Sequence, residues 1–347
     1  MKLFHYTHSF TLESGAVLPS YHLAYSTHGT LNPAGDNVIW VFHALTANSD
    51  PAEWWPGLVG GGRVFDPARH FIVCVNMPGS CYGSTGPLEE MPGAGHPYYH
   101  AFPFFTPRDM VRAYQPLRKF LGIQKIHVGI GGSMGGQQLL EWAVEEPELF
   151  RTIVPIATNG QHSSWGIAFN TAQRMAIEAD PSFREERADA GLAGMRAARA
   201  TALLSYRHYD AYKILQPRLE NFLSENFPGE VSAASYQRYQ GEKLVRRFNA
   251  FSYYSLSLSM DSHDLGRGRG GLEAALKKIR SRTLVIGIGT DILFPVTEQQ
   301  LLAALIPGAV YRQIGSLYGH DGFLLEFAQI ETLIQEQLEE YLQPVDN

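Results

Sequence analysis

The chain has 347 residues, with 28 Lys+Arg against 34 Asp+Glu and a formal net charge of −6. This length admits two domains or one large α/β domain with an insertion. A composition of 45% hydrophobic and 18% charged residues can bury a sizeable core and excludes a disordered chain. The mildly acidic balance, without a basic tract, argues against a nucleic-acid or anionic-membrane partner.

In chain order, residues 3–12 and 18–26 are rich in aromatic and β-branched side chains around Glu13-Ser14-Gly15, which predicts antiparallel strands joined by a turn. After Asn32-Pro33-Ala34-Gly35, residues 38–42 and 71–75 are short continuous apolar runs, the pattern of parallel strands buried on both faces. Cys74 lies in the second run and Cys81 just beyond it. Two cysteines are too few for a disulfide framework and fit a reducing compartment.

Thr106-Pro107-Arg108-Asp109 reads as a helix start: a hydroxyl cap, Pro at the first position and an acid near the cap. Met110, Ala113, Tyr114, Leu117 and Leu121 line one face of that helix, and Pro116 predicts a kink or an early end. Further strands are predicted at 126–130, 152–156 and 283–288, with helices at 137–145 and 323–338. Alternation of this kind makes a parallel sheet covered on both sides.

Residues 159–281 break the alternation and read as helix after helix: 164–179, 188–206, 232–248 and a segment around 251–260. The expected organisation is an α/β core of residues 1–158 and 282–347 with residues 159–281 inserted as a helical cap. Such a cap would cover the carboxyl ends of the strands, where α/β sheets bind ligands.

The sharpest local signal is Gly131-Gly132-Ser133-Met134-Gly135-Gly136. It matches G-x-S-x-G between a predicted strand and a predicted helix, the setting of a nucleophile elbow. On such a turn Ser133 projects above the sheet and the Met134 N–H becomes an oxyanion donor. Neither G-x-G-x-x-G nor a Walker lysine is present, so nucleotide binding is the weaker reading.

A serine nucleophile needs a base, and the base an orienting acid. Asp291 closes the strand 283–288, and His320 follows in the glycine-flanked loop Tyr318-Gly319-His320-Asp321-Gly322. Ser133, Asp291 and His320 thus come in the order of an α/β-hydrolase triad. The loop His43-Ala44-Leu45-Thr46 directly follows the strand 38–42, the place for a second oxyanion donor, with Leu45 favoured. The thirteen histidines include no HExxH and no cysteine-spaced set, so no metal is expected.

With these residues in view, the chain resembles the homoserine O-acetyltransferase family, α/β-hydrolase-fold acyltransferases of methionine biosynthesis. The resemblance is carried by His43-Ala44-Leu45-Thr46, Cys81-Tyr82-Gly83-Ser84-Thr85-Gly86-Pro87, Arg108-Asp109-Met110-Val111 and the elbow. It continues through residues 162–181, Ser205-Tyr206-Arg207, residues 261–271, residues 291–295 and Gly319-His320-Asp321-Gly322-Phe323, so it spans nearly the whole chain. Met77-Pro78 and Pro116 depart from the family pattern.

The resemblance implies an acyltransferase with no bound cofactor and acetyl-CoA as cosubstrate. Ser133 takes acetyl from acetyl-CoA, and His320 then activates the hydroxyl of L-homoserine. It further implies that Arg207 grips the amino-acid carboxylate, that Asp321 holds its ammonium, and that the protein is a cytoplasmic homodimer packed through the cap helices. The chemistry is apt, because guanidinium presents a planar fork to a carboxylate. Gly266-Arg267-Gly268-Arg269-Gly270-Gly271 reads either as a contact for CoA phosphates or as a solvated turn. Succinyl-CoA as donor, serine as acceptor, or water as acceptor are the competing readings, because one methylene is worth only about 1–3 kcal/mol of discrimination. The residues 1–8 carry no secretory signal pattern, and no apolar run approaches the roughly 18 residues of a membrane span.

Overall fold

The computed structural model describes residues 1–217 and 232–339. Residues 218–231 of the expected cap and 340–347 of the expected core lie outside the described residues. At the N-terminus, β1 (Lys2–Tyr6) leads into a small separate hairpin of β2 (Phe10–Thr11) and β3 (Val17–Leu18), followed by β4 (Tyr21–His28), which pairs antiparallel with β1. Each of the two long strands expected here is therefore broken in two. Pro19, which has no N–H to give a ladder, separates β3 from β4.

The alternating part follows. It comprises β5 (Val38–Phe42), the short α1 (Pro51–Trp54), β6 (Phe71–Val75), α2 (Pro107–Phe120), β7 (Ile126–Gly132), α3 (Met134–Glu145) and β8 (Phe150–Ile156). Among the described residues, the chain between β8 and the next strand of the main sheet is built from helices: α4 (Ser164–Glu178), α5 (Leu192–Tyr206), α6 (Tyr209–Leu215), α7 (Ser232–Val245), α8 (Ala250–Asp261) and α9 (Leu272–Leu276). The sheet then resumes with β9 (Arg282–Ile288), α10 (Val296–Leu305), β10 (Val310–Ile314) and α11 (Phe327–Glu339).

Eight strands form one sheet in the order β1-β4-β6-β5-β7-β8-β9-β10, parallel from β6 to β10. All five residues of β5 are buried, and they divide between two cores. Val38, Trp40 and Phe42 join the side of Tyr114 and Trp142, whereas Ile39 and Val41 join the side of Ile330 and Ile334. Burial on both faces is the reason the strand reads as an unbroken apolar run. Trp40 and Trp142 meet edge to face at 4.9 Å, one of the contacts that seats α3 under the sheet.

The early end considered for α2 and the start expected for the last helix need correction. The helix α2 starts as expected, with Thr106 and Asp109 closing a reciprocal capping box, but it does not end at Pro116 and runs on to Phe120. Pro116 removes one hydrogen bond in the last turns, while Met110, Val111, Ala113, Tyr114 and Leu117 hold the buried face. The helix expected from Phe323 begins only at Phe327, after a 3₁₀ turn over Gly319–Leu324. The Phe323 carbonyl is engaged by the Trp55 indole N–H at 2.8 Å rather than by a helical N–H.

The glycine-rich segment 266–271 is a turn with Arg267, Gly268, Gly270 and Gly271 exposed, and its two arginines are held by carboxylates. Arg267 pairs with Glu13 at 2.8 Å, and Arg269 pairs with Glu141 and Glu145 at 2.5 and 2.6 Å. Arg108 of α2 completes the cluster, 2.6 Å from Glu13 and 2.7 Å from Glu141. The segment thus ties the end of the helical stretch to α2 and α3, with Arg108, Glu141 and Arg269 nearly buried and Arg267 exposed.

Candidate active site

Leu45 follows β5, Ser133 follows β7, Asp291 follows β9 and His320 follows β10, so parallel strands bring all four to one edge of the sheet. Ser133 has φ 55° and ψ −127°, a conformation that a side-chain-bearing residue keeps only when its surroundings enforce it. Those surroundings are explicit. The Ser133 N–H donates to the Ile156 carbonyl at 3.0 Å, and its own carbonyl accepts from Gln137 N–H at 3.1 Å and from the Thr158 hydroxyl at 2.8 Å. A Cβ on Gly135 would lie 2.2 Å from the Phe42 carbonyl oxygen, so only glycine lets the start of α3 approach the end of β5.

Asp291 is 5% exposed, and its carboxylate is fully occupied. One oxygen accepts from the Leu293 and Phe294 N–H groups at 2.8 and 2.9 Å, and the other meets His320 Nδ1 at 2.6 Å. Because the carboxylate only accepts, Nδ1 carries the proton and Nε2 is left as the basic nitrogen. The His320 ring sits in an aromatic slot, stacked on Phe294 at 5.1 Å and edged by Phe323 at 5.3 Å. Burial alone would push its pKa down, but the Asp291 charge and hydrogen bond, with the Asp321 charge, override that and leave it raised above the usual 6.5.

Phe323 also fills the space where a Gly132 side chain would stand, with its ring 2.4 Å from the position of a Cβ there. One ring therefore packs against both the elbow and His320. The Ser133 side chain caps nothing in α3. Leu45 lies in a turn closed by the Ala47 N–H on the Ala44 carbonyl at 3.0 Å. Such a turn leaves the N–H of its second residue unused. Neither the Leu45 nor the Met134 N–H has an acceptor among the described residues.

Arg207 caps the C-terminus of α5, and its Nε lies 3.1 Å from Asp321 Oδ2, without the alignment of a hydrogen bond. Its guanidinium also lies over the Tyr318 ring at 5.3 Å. Two opposite charges thus stand beside His320, one from the helical stretch and one from the histidine's own turn. Sequence reasoning missed Thr158, whose partner is 25 residues away and leaves no local pattern. Among the described residues no group of three or more His, Cys, Asp or Glu is disposed to hold a metal ion.

A serine on a strained strand–helix turn, a histidine polarised by a buried aspartate and two unused N–H donors define an α/β hydrolase, and residues 37–327 match the family described as the alpha/beta hydrolase fold. A homoserine O-acetyltransferase from Cyclobacterium marinum is 47% identical over 334 residues, covering 96% of this chain and 94% of that one. The chain belongs to the homoserine O-acetyltransferase family. Among solved structures, a homoserine O-acetyltransferase from Bacillus anthracis superposes with a TM-score of 0.90 at 24% identity, covering 97% of this chain and 96% of that one. An acetylester hydrolase from Corynebacterium glutamicum superposes with a TM-score of 0.84 at 25% identity, covering 97% and 95%. The same architecture thus serves transfer and hydrolysis, and the site has to decide between them.

Proposed function

We propose that this protein transfers the acetyl group of acetyl-CoA to the hydroxyl of L-homoserine through an acetyl-serine intermediate. The reading rests on the Arg207–Asp321 pair beside His320, since a plain esterase has no need of a zwitterion clamp, and on family membership.

Ser133 Oγ attacks the thioester carbonyl while His320 Nε2 takes its proton. The oxyanion that forms is held by the Leu45 and Met134 N–H groups, each donor being worth roughly 3–4 kcal/mol. The intermediate collapses, the C–S bond breaks, and the CoA sulfur leaves with the proton from His320. Homoserine then enters with its carboxylate on Arg207 and its ammonium on Asp321. His320 removes the hydroxyl proton, the oxygen attacks the acetyl-serine, and the second tetrahedral intermediate uses the same two donors. Its collapse releases O-acetylhomoserine and returns the proton to Ser133.

In this scheme residues 159–281 are a cap over a core of residues 1–158 and 282–347. The position of Arg207 at the end of α5 supports that division, because the cap then supplies half of the acceptor clamp. The protein acts as a cytoplasmic homodimer packed through the cap helices. Supporting the dimer, Leu204, Tyr209, Ile214 and Leu215 of α5 and α6 are each at least half exposed.

Thiol release from acetyl-CoA or succinyl-CoA, each with homoserine, serine or no acceptor, tests the proposal. Turnover with acetyl-CoA and homoserine alone supports it. Equal release without an acceptor makes the protein a hydrolase and removes the roles given to Arg207 and Asp321.

A further inference from the structure

We infer that His43 and Arg247 are positioning residues that hold the oxyanion turn: they grip the carbonyls on either side of Leu45 and so fix the direction of its N–H. The inference rests on the oxyanion role proposed for Leu45. His43 is 1% exposed and follows β5 directly. Its Nε2 receives the Met77 N–H at 3.1 Å, and its Nδ1 lies 2.9 Å from the Ala44 carbonyl oxygen.

These two contacts fix the tautomer. A backbone N–H can only donate, so Nε2 is the acceptor and Nδ1–H donates to Ala44. The ring must be neutral to do both, and burial keeps it so by pushing its pKa down to about 4.

The Ala44 carbonyl and the Leu45 N–H belong to one planar trans peptide and point in opposite directions. Gripping the oxygen therefore aims the hydrogen. The next carbonyl but one is held as well: Arg247, two residues beyond α7, donates from Nη1 to the Thr46 oxygen at 2.5 Å and to the Tyr82 hydroxyl at 2.5 Å. The Thr46 oxygen and the Ala47 N–H share a second peptide plane, and that N–H closes the turn on Ala44. Both side chains thus act on the same four-residue turn, one from beneath it and one from the helical stretch. A donor aimed in advance needs no reorganisation when the oxyanion forms.

The test measures acylation and deacylation rates per titrated active site for His43→Ala, His43→Gln, Arg247→Met and Arg247→Lys. Expected for His43→Ala is a fall of about 100-fold in both half-reactions, with the KM for acetyl-CoA and homoserine within about threefold. His43→Gln, which keeps one donor and one acceptor, recovers part of that loss. Arg247→Met slows both half-reactions about tenfold, and Arg247→Lys recovers most of it.

¹⁵N spectra of the native enzyme are expected to show His43 protonated on Nδ1 alone. A His43→Ala enzyme as fast per active site as its parent overturns the inference, as does a His43 ring protonated on Nε2. If His43→Ala does not fold, the Arg247 variants and the spectra decide the matter. If Ser133→Ala keeps its thiol release, the acetyl-serine reading fails instead. If Ser133→Ala is dead while the His43 and Arg247 variants match the parent, only the positioning inference fails.

Discussion

At His320 burial and charge pull in opposite directions, and charge wins. The base works only when unprotonated, so a raised pKa moves the acid limb of the rate profile upward. The kcat/KM profile is therefore expected to fall on the acid side with a midpoint above the usual histidine value of 6.5. In Asp291→Asn the raising charge is gone and burial remains, so the midpoint shifts downward. The rate on the plateau falls about 10⁴-fold, because an amide can hold the wrong tautomer and no longer stabilises the imidazolium. A pH–rate series on both enzymes checks the two effects together. An unshifted midpoint in Asp291→Asn contradicts the assignment of Asp291 as the orienting acid.

Residues of this kind are legible in sequence because each sits at a strand end inside a pattern that the backbone requires. Ser133 is marked by the glycines that admit its turn, and His320 by the glycines on either side of it. The polar groups around them are less legible. His43 lies inside a recognisable loop, but nothing local shows that its ring spans from the Ala44 carbonyl to the Met77 N–H.

At the scale of elements, β5 and β6 are found at their expected limits because burial on both faces leaves a short unbroken apolar run. The edge strand β10 escaped notice for the opposite reason. Arg312 and Gln313 in its middle are exposed, so only Ile314 of its five residues is buried. The charges at residues 266–271 were legible, but their partners Glu13, Glu141 and Glu145 lie far away in sequence.

Glu141 is 2% exposed and pairs with both Arg108 and Arg269. Glu141→Gln removes one of the two carboxylates of each arginine, leaving Glu13 to Arg108 and Glu145 to Arg269, and is expected to cost about 1–3 kcal/mol in urea denaturation. A loss under about 1 kcal/mol, the range of an exposed ion pair, contradicts the claim that this cluster docks the helical stretch on α2 and α3.

For the whole molecule, the exposed apolar side chains of α5 and α6 bear on assembly. Sedimentation velocity is expected to return a dimer for the native chain and a monomer for the double variant Leu204→Asp, Ile214→Asp. A native monomer removes the proposed assembly without touching the triad. The long helical stretch between β8 and β9 was legible at this scale, because hydrophobic periodicity changes there from short apolar runs to helical spacing. How that stretch meets the core depends on contacts such as the Arg207–Asp321 pair and the Arg247 side chain on the Thr46 carbonyl, and no local pattern encodes them.

The central claim is that Ser133 carries the acyl group between two substrates. Mixing the protein with acetyl-CoA in the absence of acceptor and weighing its peptides tests this most directly. The account predicts the mass of one acetyl group on the peptide containing Ser133, discharged on addition of homoserine and absent from Ser133→Ala. Turnover with no such adduct, or an adduct that survives in Ser133→Ala and still discharges to homoserine, contradicts it.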